Sequence, residues 1–271
     1  MKIAFIGGGN MASALIAGLA GKLVAGADIH VIDPNADALE RLRAHFGVGT
    51  ALGIDGALAA SEVIVLAVKP QQMREVAAAL QGHLGKARPL LLSIAAGIRG
   101  ADLARWLGGY GAIVRCMPNT PALIGRGITG MVAMAGVDAA QKRAADDIMK
   151  AVGPTVWLDD EALIDPVTAV SGSGPAYVFY FIEAMQQAAL EMGLTAEQGK
   201  QLALATFVGA AELAAHSADP VSVLRERVTS KGGTTYAAIS SMEQAGVKQA
   251  IIAAMKAAAA RGRELGDELG A

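Results

Sequence analysis

In the first half of the chain, short runs of β-branched and other apolar residues alternate with stretches whose apolar positions recur every three or four residues. A strand buried on both faces reads as a near-continuous apolar run, and a helix packed on it shows a one-sided stripe. The alternation therefore predicts βαβ units and a parallel sheet. The runs place strands at 2–6, 28–32, 63–68, 90–94, 112–115, 129–133 and 155–158. The stripes place helices at 11–22, 36–46, 71–80, 100–107 and 138–151, the last with Asp138 as its N-cap and ending before Gly153-Pro154.

After Ala162 the strand-like runs disappear and helical periodicity continues to the C-terminus, at 176–192, 196–217, 221–229, 234–245 and 247–265. These stretches are rich in Ala and Met, and their apolar faces are broader than one small bundle needs to bury. That breadth points to a subunit interface in the helical part; a monomeric bundle with a generous core is the alternative.

Composition narrows the function classes. With 23 Lys+Arg against 25 Asp+Glu the formal charge is −2, without the basic surplus that nucleic-acid binding normally needs. At 53% hydrophobic and 18% charged residues, the 271-residue chain is outside the disordered class. No apolar run reaches the roughly 20 residues of a membrane span. The opening Met1-Lys2-Ile3-Ala4-Phe5-Ile6 is too short for a signal-peptide core, so a cytoplasmic location is the expectation. The lone Cys116 allows neither an intrachain disulfide nor a thiolate zinc cluster and is expected to serve packing. His30, His45, His83 and His216 are scattered without ligand spacing, so no metal site is expected.

The strongest local signal is Ile6-Gly7-Gly8-Gly9-Asn10-Met11-Ala12, a GxGxxA between the first strand and the first helix. Gly7 permits the tight turn, Gly9 lets a pyrophosphate approach the backbone, and Ala12 lets the helix lie close to the strand. The helix's free amides then face the phosphates. The implied fold class is α/β: a Rossmann-like dinucleotide-binding domain at 1–160, then an all-α domain at 161–271. Asp33 ends the second strand, ~20 residues on, where an acid bonds the adenosine ribose and favours NAD. The other reading of Asp33-Pro34-Asn35 is a plain turn and helix cap.

Three further strand ends should reach the same sheet edge. Ala67-Val68-Lys69-Pro70 offers Lys69 to phosphate or ribose, unless Lys69 simply faces solvent before a helix-starting Pro. Ala95-Ala96-Gly97 and Met117-Pro118-Asn119 are small or turn-forming sequences that let a nicotinamide ring lie against the backbone. In the helical part, Ser171-Gly172-Ser173-Gly174-Pro175 and Thr229-Ser230-Lys231-Gly232-Gly233-Thr234-Thr235 stand out. The second joins two helices through paired glycines. Its free amides at the next helix start make a cradle for a carboxylate, although Gly232-Gly233 alone would fit a structural turn.

Missing residues matter too. Tyr110, Tyr177, Tyr180 and Tyr236 are followed four positions later by Val114, Phe181, Ala184 and Ser240, so the Tyr/Lys pair of short-chain dehydrogenases is absent. No Lys occurs between Ala162 and Gly199, where β-hydroxyacid dehydrogenases carry a catalytic one. A ketone, which needs a proton donor for its developing alkoxide, is poorly served. An imine suits better, because a protonated C=N already carries the charge that attracts hydride.

The runs IGGGNMA, AVKPQ, MPNTP, SGSGPAY and, above all, VTSKGGTT of Val228–Thr235 together resemble the pyrroline-5-carboxylate reductase family, in its order from residue 6 to residue 235. The resemblance implies reduction of 1-pyrroline-5-carboxylate to L-proline with NADPH or NADH, the last step of proline biosynthesis. It implies cofactor contacts from Gly7 to Ala12 and Ala67 to Pro70, with Met117, Pro118 and Asn119 near the nicotinamide. Backbone amides of Gly232, Gly233 and Thr234, beside Ser230, would hold the substrate carboxylate. The Thr235 hydroxyl would sit against the ring nitrogen, orienting the imine rather than acting as a strong acid. Family members pair through the helical domain, and such dimers assemble into rings, a decamer among the implied states. One departure stands out: the family often has Asp-Asn where this chain has Asp55-Gly56. With Asp33, the loss of that amide predicts that NADH and NADPH both work. A cyclic- or acyclic-imine reductase with another substrate and a non-catalytic nucleotide sensor are the rival readings.

Overall fold

The computed structural model describes residues 1–84 and 88–271. Eight strands, β1 (Ile3–Ile6), β2 (Ile29–Ile32), β3 (Gly49–Ala51), β4 (Val63–Leu66), β5 (Leu90–Ser93), β6 (Ile113–Met117), β7 (Thr129–Ala133) and β8 (Thr155–Trp157), form one sheet in the order β3-β2-β1-β4-β5-β6-β7-β8. The strands from β3 to β6 pair parallel, as do β7 and β8. The departure from the all-parallel expectation is β7, which pairs antiparallel with β6. Its cause is the connection: a 3₁₀ turn at Thr120–Ile124 stands where a crossover helix would be needed, so the chain doubles back. The three-residue β3 had no expectation in the sequence.

Period-2 alternation splits the sheet residues between two cores. Ile3, Phe5, Val63, Val65, Leu90 and Leu92 face α1 (Asn10–Leu19), α2 (Ala36–Phe46) and α5 (Ala139–Lys150). Ala4, Ile6, Ile64, Leu66 and Leu91 face α3 (Met73–Leu80) and α4 (Gly100–Trp106). α1 stops three residues short of its expected end because Gly21, at φ +73°, turns the chain back through a hydrogen bond to Val24. α5 has the expected Asp138 cap, reinforced by Gln141 in a capping box.

After β8 the chain forms α6 (Ile164–Val167), a π-helical turn (Thr168–Gly172), α7 (Gly174–Glu191), α8 (Ala196–His216), α9 (Val221–Arg227), α10 (Thr234–Gln244) and α11 (Val247–Gly270). Packing divides the chain into a sheet unit, Met1–Ser173 with Ala257–Ala271, and a helical unit, Gly174–Lys256. This differs from the division expected at 160/161. Residues 161–173 pack on the sheet: Glu161 accepts hydrogen bonds from Arg115 at 2.6 Å and from the Gly100 amide at 2.5 Å. The end of α11 does so too. Arg99 donates to Asp267 at 2.7 Å, Arg74 donates to the Ala271 carbonyl at 2.8 Å, and Leu265 and Leu269 pack against Gly97.

Within the helical unit, α7 and α8 form a hairpin. Thr195 and Gln198 make a reciprocal capping box at the turn, and Gly199 lets α8 approach Ala189 closely. Few of its apolar residues are buried; Phe179, Tyr180, Val208 and Leu213 are each 58–73% exposed.

Candidate functional site

Two constellations carry the candidate chemistry, one in each unit. In the sheet unit, Gly7 holds φ +101°, and a Cβ there would stand 2.5 Å from the Ala67 carbonyl oxygen. Only glycine lets β1 turn so tightly against the end of β4. Gly9 differs: among the described residues, no atom comes within 4 Å of where its Cβ would be. The space over Gly9 adjoins the start of α1, whose N-cap makes no side-chain hydrogen bond. The first-turn amides therefore have neither helical acceptor nor cap, as an anion-binding helix end requires. Ala12 is buried, as close helix–strand packing demands.

Asp33 stands at the end of β2 beside this turn. Its carboxylate accepts from the Gly8 amide at 2.7 Å and the Asn35 amide at 2.8 Å, while Asn35 caps α2 through Ala38. Asp33-Pro34-Asn35 forms the turn and helix cap, with the Asp33 carboxylate bonded to the Gly8 amide of the glycine loop. Two concavities share Asp33. One, of about 410 Å³, runs from Gly8–Asn10 to Arg41 and His45 on α2. The other, of about 580 Å³, has Ile6 and Gly7 as its floor, Leu52–Ile54 on one side and Val68, Lys69, Gln72 and Val76 on the other.

These features fit a dinucleotide. The larger concavity opens at the β1/β4 switch point of the sheet, where open α/β folds bind nucleotides. It offers apolar walls to an adenine and the Asp33 carboxylate to a ribose, while the uncapped start of α1 borders the smaller concavity, where a pyrophosphate would meet it. Lys69 is exposed at its rim. Ala95, which is buried, and Ala96 follow β5 at the same edge, and half-buried Met117 ends β6 there before buried Pro118. Asn119 is 9% exposed, with its amide already engaged: Nδ2 donates to the Ser171 carbonyl at 3.1 Å and Oδ1 accepts from Ile128 at 2.9 Å. Cys116 is buried; desolvation drives its thiol pKa well up, and the Arg115 charge offsets only part of that, so it stays a neutral packing group.

The helical unit holds the second constellation. Thr229 bonds back to the Arg225 carbonyl, Gly232 turns at φ +76°, and the Gly233 amide closes the loop on the Ser230 carbonyl at 3.0 Å. Gly233 is the N-cap of α10 and has no side-chain hydrogen bond, so the first-turn amides from Thr234 onward are uncapped. Thr235 is half-buried on that first turn. This helix start therefore brings together open amides, the macrodipole's positive end and a hydroxyl, a combination suited to a carboxylate-bearing ligand.

The sequence did not single out Leu52, Ile54, Gln72 or Val76, which wall the larger concavity. Leu52 and Ile54 follow β3, whose three residues are too short for a periodic signal. Nor did it single out Glu161, which ties Arg115 to the start of α4. Its one signal was its place just before the change to helical periodicity.

Residues 161–265 match a family profile described as pyrroline-5-carboxylate reductase dimerisation, and residues 2–97 match one described as NADP oxidoreductase, coenzyme F420-dependent. The chain is 46% identical over 269 residues to the pyrroline-5-carboxylate reductase of Pseudomonas aeruginosa, spanning 99% of this chain and 98% of that protein. To the Escherichia coli pyrroline-5-carboxylate reductase it is 37% identical, spanning 94% of each. Among solved structures, a pyrroline-5-carboxylate reductase from Coxiella burnetii superposes with a TM-score of 0.91 at 40% identity, covering 97% of this chain and 98% of that one. The Plasmodium falciparum pyrroline carboxylate reductase with NADP bound gives 0.87 at 30% identity, covering 98% of each.

Proposed function

The chain belongs to the pyrroline-5-carboxylate reductase family, and from that premise we propose which of its residues carry the reaction. The enzyme reduces 1-pyrroline-5-carboxylate to L-proline with NADPH or NADH, the last step of proline biosynthesis. The observation that carries the residue assignment is the uncapped start of α10 behind Gly232-Gly233.

Gly7–Ala12, Asp33, Ala67–Pro70, Ala95 and Ala96 hold the dinucleotide, with Met117 and Pro118 at the nicotinamide. When bound, the reduced nicotinamide supplies the hydride. The amides of Gly232 and Thr234, beside Ser230, hold the substrate carboxylate, while the Gly233 amide is already taken by the Ser230 carbonyl at 3.0 Å. Thr235 directs its hydroxyl to the imine nitrogen and orients the C=N bond. No strong acid is needed, since the protonated imine already carries positive charge at the acceptor carbon. Catalysis is then mainly a matter of proximity and orientation.

The dimerisation profile and the exposed apolar faces of α7 and α8 support a homodimer through the helical unit. We extend this to rings of dimers, a decamer, and to a cytoplasmic location. Among the described residues no helix is long and apolar enough to cross a membrane. Light scattering of the purified protein separates dimer from decamer.

The test is cofactor oxidation with racemic pyrroline-5-carboxylate, NADH and NADPH varied separately. Asp33 holds its negative charge fixed between two amides where an adenosine 2′-phosphate would come, so NADH is expected to rival NADPH. An NADPH advantage in kcat/KM beyond about 100-fold removes Asp33 from the ribose site. Absence of turnover by folded, NADH-binding protein removes the residue assignment altogether.

A further inference from the structure

The π-helical turn Thr168–Gly172 comes directly after α6 and is built from the Ser171-Gly172 run that no role above absorbs. A π-turn carries one residue more than the helix around it and re-aims the chain beyond it, at the cost of carbonyls left for other partners. Here the Ser171 carbonyl is taken by the Asn119 side chain at 3.1 Å, and the other end of that amide holds Ile128 at 2.9 Å. Next to this clip, Gly172 leaves room for Met117: a Cβ at position 172 would stand 2.6 Å from the Met117 methyl carbon. Gly130 of β7 receives Val167 in the same way, with its would-be Cβ 2.6 Å from a Val167 methyl. The turn and the end of α6 are thus seated on β6 and β7 by two glycine contacts and the bridging Asn119 amide.

We propose that Asn119 and Gly172 are positioning residues that fix the Met117 side chain for hydride transfer. The inference rests on the reading that Met117 lies at the nicotinamide. Asn119 is nearly buried, and its bonds to Ser171 and Ile128 fix the orientation of its amide against the turn. Gly172 acts through volume alone: the atom a new Cβ would displace is the far end of a flexible side chain, so Met117 moves while the backbone stays.

The experiment compares Gly172→Ala, Asn119→Asp, Met117→Ala and the Gly172→Ala/Met117→Ala double variant. Each is assayed for Tm, NADH affinity by fluorescence, kcat, KM and the primary isotope effect with cofactor deuterated at the transferring position. Asn119→Asp keeps the acceptor for Ile128 but sets a carboxylate against the Ser171 carbonyl. Gly172→Ala and Asn119→Asp are each expected to lower kcat about 10-fold, leave NADH affinity and substrate KM within about 2-fold, and raise the isotope effect. A merely structural defect lowers the active fraction without changing the isotope effect. The double variant is expected to be no slower than Met117→Ala alone, since the added methyl then has nothing to displace. Additive losses, an unchanged isotope effect, or unchanged kinetics in Gly172→Ala while Met117→Ala is impaired overturn the inference. Unaltered kinetics in Met117→Ala overturn the placement of Met117 at the nicotinamide, and the inference with it.

Discussion

The sheet unit and the helical unit treat their apolar residues in opposite ways. In the sheet unit Ile3, Phe5, Ile64 and Leu92 reach 0% exposure, because helices cover the central strands on both faces. In the helical unit Ile182, Ala189 and Ala203 are the buried apolar residues among those described, while Phe179 is 60% and Tyr180 73% exposed. Covering one such large side chain contributes about 1.5–3 kcal/mol, so a patch of this size favours association strongly. One unit completes its core within a single chain and can be understood alone. The other leaves its apolar faces uncovered within one chain, in keeping with its match to a dimerisation profile.

The sharpest break of this contrast is Phe179→Glu, which puts a charge on the exposed face and touches none of the proposed binding residues. The dimer is expected to dissociate and activity to fall by about 100-fold or more, with NADH affinity retained by the sheet unit. A dimer of undiminished activity in light scattering would remove the helical face as the interface. Within the sheet unit, Gly7 and Gly9 should behave differently although they are two residues apart. Gly7→Ala meets the Ala67 carbonyl at φ +101° and is expected to cost about 1–3 kcal/mol or more, a Tm loss of several degrees. Gly9→Ala, at φ −72° with open space around it, should leave Tm within about 1 °C while weakening NADH about 10-fold. Equal Tm values for the two variants would contradict the steric account. Thr235→Ala, in the helical unit, is expected to lower kcat/KM about 10- to 100-fold, or about 1.4–2.7 kcal/mol, with NADH affinity unchanged. Kinetics equal to wild type would take Thr235 out of the substrate site.

Local pattern along the chain was enough for the elements with a strong period and for the two loops with unusual composition. Buried strands such as β1 and β4 announce themselves because every side chain must be apolar, and α2 appears at its predicted bounds because Asn35 and Gly47 punctuate it. The glycine loop and the Gly232-Gly233 run were legible since a positive φ and open helix amides restrict which residues can stand there. Long-range packing settled the rest. The short β3 owes its pairing to β2 rather than to a pattern of its own, and β7 reverses direction because of what its connection lacks. The end of α11 belongs to the sheet unit through Arg99, Asp267 and Leu265, contacts spanning more than 160 residues of chain that no local window contains. Asn119 reads in sequence as a polar group at a ligand-bearing strand end. Only the folded chain shows that its amide bridges Ser171 and Ile128, because which polar groups meet depends on distant partners that the fold brings together.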